Sequence, residues 1–282
     1  MSTPDFAAIT TAAIDRMAEA PNARLRQILA VVLRHLHDAI RETCLTEAEW
    51  EAAIAFLTRT GQMCTAERQE FILLSDVLGV SMLVDALNHA AGEGVSESTV
   101  FGPFYAGRQP VLAAGASILK RPEEGTPLHM RGTVSTVRGA PLAGALVEVW
   151  QTAPNGQYDV QDPQQPAGHL RASFETAADG SFAFATIVPV SYPIPDDGPV
   201  GALLEALGRH PNRPAHIHFM ITAPGYRRLV THLFIEGDPY LASDAVFGVK
   251  QSLIVRPQAQ ADGSLGIDYA FTLADAPERH DE

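Results

Sequence analysis

The sequence predicts a mainly β protein with an α-helical N-terminal part: an antiparallel β-sandwich over residues 119–282, preceded by an amphipathic helical and linker part over residues 1–118. Three observations predict it. In the first third, apolar residues recur at three- and four-residue steps, the period of one helix face. From about Leu128, eight short β-rich runs follow one another, separated by glycine, proline and Asp-Gly turns with no helical pattern between them. At 282 residues the chain is long for one compact core but ordinary for two parts.

The first element is a helix from Asn22 to about Ile40, with Leu25, Ile28, Leu29, Val32, Leu33, Leu36 and Ile40 on its apolar face. Thr46-Glu47-Ala48-Glu49 has the form of a capping box, in which the threonine oxygen and the glutamate each satisfy a free amide of the first turn; a second helix follows to about Arg59. A third helical stretch runs from Thr65 to Ala91 and stops at Gly92. The segment from Gly92 to about Pro127 joins the halves and contains STVFGPFYAG, too apolar for a solvated linker. It reads either as a strand or loop packed between the parts or as a ligand-facing loop. The expected strands are LHMRGTV, ALVEVWQ, HLRASFE, SFAFATI, AHIHFMI, LVTHLFIE, SLIV and IDYAFT, with Ala178-Asp179-Gly180 joining two of them as a hairpin turn.

Composition excludes several classes of function. A hydrophobic fraction of 46%, with apolar runs broken well short of ~18 residues, is that of a soluble globular protein. A net charge of −13 without a basic run repels a phosphate backbone, so no nucleic-acid partner is expected. The N-terminal MSTPDFAAITTAAIDRM lacks a basic segment followed by an apolar core, which makes the cytoplasm the expected location. Cys44 and Cys64 have no metal-type spacing and make no disulfide framework.

The chemistry-bearing stretch is RPAHIHFMI, residues 213–221. On a strand His216 and His218 point the same way, their Cα atoms roughly 6.5–7 Å apart. Two imidazoles at that separation can converge on one metal, although His-X-His also occurs in ordinary strands. No further histidine or carboxylate stands nearby in the sequence to make the facial triad of an Fe(II) oxygenase. Two tyrosines, Tyr158 in APNGQYDVQDP and Tyr192 in VSYPIPDDGPVG, lie in turn-like polar sequence; each is either an aromatic anchor bonded to backbone or a ligand.

Taken together and in order, NGQYD, SYPIPDDGPVG, RPAHIHF and GDPYLASDAVFGVK resemble the intradiol ring-cleaving dioxygenases, non-haem Fe(III) enzymes that open catechols between the two hydroxylated carbons. The resemblance runs from about residue 70 to 256. It implies that Tyr158, Tyr192, His216 and His218 hold one Fe(III) per subunit, that Tyr192 is the ligand displaced by substrate, and that Arg213 faces the bound ring. The residue types suit that role, since a trivalent cation stabilises phenolates that otherwise form only near pH ~10. It also implies that the sandwich is catalytic, both atoms of dioxygen ending in a muconate-type diacid.

THLFIEGDPYLASDAVFGVK, FILLSDVLG and STVFGPF resemble the branch acting on hydroxyquinol (benzene-1,2,4-triol). In that branch, residues matching Leu73, Asp76, Val100, Phe101, Gly102, Pro103 and Phe104 line the ring pocket, and His232 stands where catechol enzymes usually carry glutamine. Asp76 would accept a hydrogen bond from the third hydroxyl. Asn212 and the NRPAHIHF and APGYRRL segments read as well for a catechol or chlorocatechol enzyme. His232 is alternatively a packing residue beside the ligands. The helices are expected to form a homodimer interface, with a phospholipid between subunits, by the same resemblance. A non-catalytic sandwich module and an Fe(II) dioxygenase are the competing classes; the first lacks a reason for the four ligands and arginine, the second lacks its carboxylate.

Overall fold

The computed structural model describes residues 6–65, 68–89 and 92–276. It divides into two compact units, Met1–Arg59 and Thr60–Glu282. The division falls before the 118/119 boundary expected from composition: Leu73, Val77 and Met82, from the helices after Gly61, pack within the second unit, while Phe71, Ile72, Leu83 and Leu87 stay exposed.

In the first unit α1 (Phe6–Asp15), which no sequence pattern had marked, precedes α2 (Ala23–Thr43) and α3 (Glu47–Gln62), the last running into the second unit. Asn22 caps α2, its side chain accepting from the Leu25 amide at 2.9 Å. The capping box forms as expected: the Glu49 amide donates to Thr46 Oγ1 at 3.3 Å and the Thr46 amide to Glu49 Oε2 at 2.8 Å. Thr10 Oγ1, 2.9 Å from His37 Nδ1, ties α1 to α2. Most apolar side chains of α2 are substantially exposed, among them Leu25, Ile28, Val32 and Leu36. Cys44 and Cys64 are free thiols.

The single helical stretch expected from Thr65 to Ala91 is two helices, α4 (Glu70–Val77) and α5 (Val80–Asn88); positions 66–67 and 90–91 lie outside the described residues. The break is Gly79, at φ +74°, a left-handed conformation that interrupts the helical ladder and that glycine adopts without a Cβ clash. Leu73, Val77 and Met82 pack with Val100, Val200, Leu204 and Val246.

All eight expected strand runs contain a strand, SLIV only over Ile254–Val255, after a 3-10 turn over Gln251–Leu253. One sheet has the order β10–β11–β1–β4, from β1 (Pro127–Thr136), β4 (Ser181–Ile187), β10 (Gln258–Ala259) and β11 (Leu265–Leu273). The other has the order β3–β2–β7–β8–β9, from β2 (Leu146–Trp150), β3 (Arg171–Glu175), β7 (His216–Thr222), β8 (Leu229–Ile235) and β9 (Ile254–Val255). Between β4 and β7 lie a two-residue ladder, β5 (Tyr192–Pro193) with β6 (Asn212–Arg213), and the helix α6 (Pro199–Ala206), neither expected from sequence. The sheets share a core: Met130, Phe182, Phe184 and Phe271 from one pack with Val147, Phe174, Ile217 and Phe219 from the other.

Two expectations need correction. The sheets are mixed, with β1–β11 and β8–β9 parallel, because in each case a long excursion lets the chain return in the same direction. The Asp179-Gly180 turn is tight, yet it joins β3 to β4 across the two sheets instead of closing a hairpin. Such a connection is local in sequence but pairs no strands, which turn chemistry cannot distinguish from a hairpin.

Candidate active site

Strand parity decides where the site lies. In β2, β7 and β8 the odd positions Val147, Val149, Ile217, Phe219, Ile221 and Leu233, and in β3 the even positions Ala172 and Phe174, fill the core between the sheets. The intervening positions therefore face the other way. Register then lines them up: Trp150 stands opposite Arg171 on one side and His218 on the other, and His218 opposite His232, so one rank across four strands reads Arg171, Trp150, His218, His232. Trp150 stacks on the His218 ring with centroids 4.6 Å apart. Trp150, Tyr158, Tyr192 and Met220 form a separate buried cluster over this face, flanked by Phe104 and Tyr105.

Four polar atoms converge there. Tyr158 Oη lies 2.9 Å from His218 Nε2 and 3.1 Å from Tyr192 Oη; His216 Nε2 lies 3.1 Å from His218 Nε2 and 3.5 Å from Tyr192 Oη. All four side chains are at most 4% exposed. Tyr158 comes from the loop after β2, its amide held by Gln161 Oε1 at 3.0 Å, and Tyr192 from the short ladder whose register sets it opposite Arg213. The His216 Nδ1 proton goes to the Pro214 carbonyl at 2.6 Å, which leaves Nε2 with its lone pair toward the cluster. Two imidazole nitrogens and two phenol oxygens crowded together and shut off from water fit a metal ion: a shared cation gives four adjacent lone pairs a common partner.

Electrostatics agree. Burial pushes His216 down to about 3, helped by the Arg213 charge and opposed by the Pro214 hydrogen bond. Burial likewise drives His218 and His232 far below the usual imidazole range, and drives Tyr158 and Tyr192 up. The imidazoles are thus neutral, with lone pairs that a cation could accept, and the phenols would need a cation to ionise. His232 joins His216 and His218 in a buried group whose donor atoms lie within 4.8 Å of one another. Its Nδ1 is 3.4 Å from Arg213 Nη2, and its ring stacks on His216 with centroids 4.7 Å apart.

Arg213 is 3% exposed and reaches Asp244, Nε to Oδ1 at 3.1 Å and Nη2 to Oδ2 at 3.3 Å, with Nη1 3.4 Å from His216 Nε2. Burial alone would raise the Asp244 carboxyl, but the Arg213 charge and its hydrogen bonds outweigh it and hold it below the usual range. Asp76 is also buried; desolvation pushes its carboxyl up against the lowering effect of Ser81 and Arg213.

The other expected pocket residues divide. Val100 packs with Leu73. Gly102, at φ +75°, passes so close to the site that a Cβ would meet His218 Cε1 at 3.2 Å. Phe104 stacks on Tyr158 with centroids 4.7 Å apart, while Phe101 and Pro103 are exposed, Phe101 reaching Trp150 at 6.0 Å. The segment 98–107 is therefore a loop against the cluster. Sequence reasoning missed Asp244, Trp150, Arg171 and Asp159. Asp244 stands inside the quoted GDPYLASDAVFGVK, and Trp150 at the even parity of its strand, but neither signal names a partner.

Fold and site together define a class: a two-sheet protein with a buried nitrogen- and oxygen-donor centre able to hold a metal ion. A family model described as "Dioxygenase" matches residues 100–275, and one described as "Catechol dioxygenase N terminus" matches residues 22–95. The chain is 54% identical to a 6-chlorohydroxyquinol 1,2-dioxygenase of Cupriavidus pinatubonensis, over 94% of this chain and 96% of that one. It is 49% identical to a hydroxyquinol 1,2-dioxygenase of a Rhizobium species, over 92% and 88%. The solved hydroxyquinol 1,2-dioxygenase of Pseudomonas putida superposes with a TM-score of 0.91 at 49% identity, covering 96% of this chain and 99% of that one. The chain belongs to the intradiol dioxygenase family. Among the described residues no helix is long and apolar enough to cross a membrane.

Proposed function

We propose that this protein is an Fe(III)-dependent intradiol dioxygenase that cleaves hydroxyquinol with dioxygen to 3-hydroxy-cis,cis-muconate, the tautomer of maleylacetate, in aromatic-compound degradation. The observation that carries the reading is the convergence of Tyr158, Tyr192, His216 and His218 within 2.9–3.5 Å contacts in a buried site. These four residues would hold one iron per subunit. His232, engaged with Arg213, serves as a neighbour that orients the arginine. When bound, ferric iron supplies Lewis acidity and a template for the diol.

The residues of the chain do the rest. Tyr192, a phenolate when the cation is bound, would take one proton of the incoming diol at its oxygen and leave as the neutral phenol. Arg213, fixed by Asp244, offers a guanidinium to negative charge building on the ring carbon that oxygen attacks. Phe104, stacked on Tyr158, and the apolar Leu73 and Val100 exclude water from the ring. Asp76, buried and within the field of Arg213 and Asp244, accepts from the third hydroxyl, and leaving it unpaired disfavours catechol. Support for the substrate also comes from the hydroxyquinol names of the relatives.

The protein acts as a cytoplasmic homodimer through its helical unit, where the exposed Leu25, Ile28, Val32 and Leu36 of α2 offer an apolar face, with a phospholipid between subunits. Oxygen uptake with hydroxyquinol and catechol side by side, with the ring-opened products identified, tests the activity. Faster uptake with hydroxyquinol and maleylacetate as product is the expected result. A preference for catechol yielding cis,cis-muconate overturns the pocket assignment, and dependence on added ferrous iron overturns the ligand set.

A further inference from the structure

Resting on that ligand set, we propose that Arg171, clamped by Asp159, is a positioning residue that holds Tyr158 in place and sets its donor strength as a metal-bound phenolate. Arg171 is 3% exposed, and its guanidinium carbon sits 5.5 Å from the centroid of the Tyr158 ring. A cation over an aromatic face is attracted to the ring's electron density, and ionising the phenol increases that density. The clamp is specific: Arg171 Nε donates to Asp159 Oδ1 at 2.5 Å, and the other carboxylate oxygen accepts the Gly168 amide at 2.6 Å. Asp159 follows Tyr158 in the chain, so one ion pair fixes both the backbone that carries the ring and the charge beside it. The pair is nearly closed to solvent, with side chains 2% and 4% exposed. Arg171 Nη2 has no hydrogen-bond partner among the described residues, so the guanidinium is not wholly committed to the carboxylate.

Tyr192 has a different cationic neighbour, Arg213, opposite it in the β5–β6 ladder. The Arg213 charge also reaches Tyr158, so the two phenols share the cation held by Asp244, and Arg171 is a second cation beside Tyr158. The effect of Arg171 should therefore fall on Tyr158 and spare Tyr192.

The test is the tyrosinate-to-iron charge-transfer band of the iron-loaded protein, with iron content measured alongside. Arg171→Gln removes the cation, and the paired Arg171→Gln/Asp159→Asn variant leaves no unpaired buried charge if the single variant folds poorly. Both should shift the band to longer wavelength and lose iron faster to a chelator, because a phenolate without the cation has a higher-energy donor orbital and a looser ring. Arg171→Lys should restore most of the band position. In a Tyr192→Phe background, where Tyr158 alone supplies the colour, the shift should be largest. A coloured wild type whose band and iron retention are unchanged in the variants overturns the role of Arg171 alone. An iron-loaded wild type without the band overturns the ligand set, and this inference with it.

Discussion

Replacing Asp244 with alanine exposes how much the site depends on one buried ion pair. The Arg213 and Asp244 side chains are 4% and 2% exposed, and Asp244 also accepts the amides of Val246 at 3.3 Å and Gly248 at 2.9 Å. Removing the carboxylate strands a guanidinium charge and two amides away from water. Breaking a buried pair from one side costs about 3–5 kcal/mol. For a unit of this size each kcal/mol lowers Tm by about 2–4 °C, so the loss should be roughly 6–20 °C. The internal control is Asp268, whose bond lengths to Arg131 are just as good, 2.7 and 3.0 Å, but whose pair is 54% and 69% exposed. Water replaces that partner, and Asp268→Ala should cost under ~1 kcal/mol. Urea unfolding of both variants, followed by circular dichroism, measures the two costs directly. If Asp244→Ala fell within ~1 kcal/mol of Asp268→Ala, burial would not be what makes the Arg213 pair matter, and the reasoning would fail.

Asp76→Ala should lower turnover of hydroxyquinol more than that of catechol, since only the triol has a hydroxyl for the buried carboxyl; equal losses in steady-state assays would remove Asp76 from specificity. Gly102→Ala combines a left-handed backbone, costing about 1–2 kcal/mol in a residue with a Cβ, with pressure on His218 Cε1 at 3.2 Å. Iron content and turnover should fall together, and a fully loaded, fully active variant would mean the loop yields freely. His169 accepts the Lys120 amide at Nδ1 (3.0 Å), with Nε2 3.0 Å from Glu123. Burial lowers its pKa against the opposing pull of Glu123, so the unfolded chain protonates first as pH falls below about 6.5. The stability it contributes is present above that pH and is lost as pH falls toward the folded value. The stability difference between wild type and His169→Gln, read from urea midpoints, should therefore shrink from pH 8 to pH 5; a constant difference would show that His169 does not titrate on unfolding.

What the sequence determined by itself is what depends on neighbours along the chain. β-Rich runs bounded by glycine, proline and Asp-Gly turns located the eight strands, the two-residue pleat turned His216 and His218 to one face, and the Thr46–Glu49 spacing placed the start of α3. The loop at 98–107 was marked by apolar residues that solvent would not hold. Motif order, carried by the family resemblance, singled out Tyr158 and Tyr192 although their loops have no periodicity at all. Tertiary structure alone decided which strands lie side by side. The parallel return of β11 beside β1, and the rank Arg171, Trp150, His218, His232, are set by packing two sheets on one core, and no residue spacing encodes them. The same holds for charge partners: Arg213 and Asp244 are thirty-one positions apart, and only folding brings them into a water-free contact where their pairing governs both stability and the site.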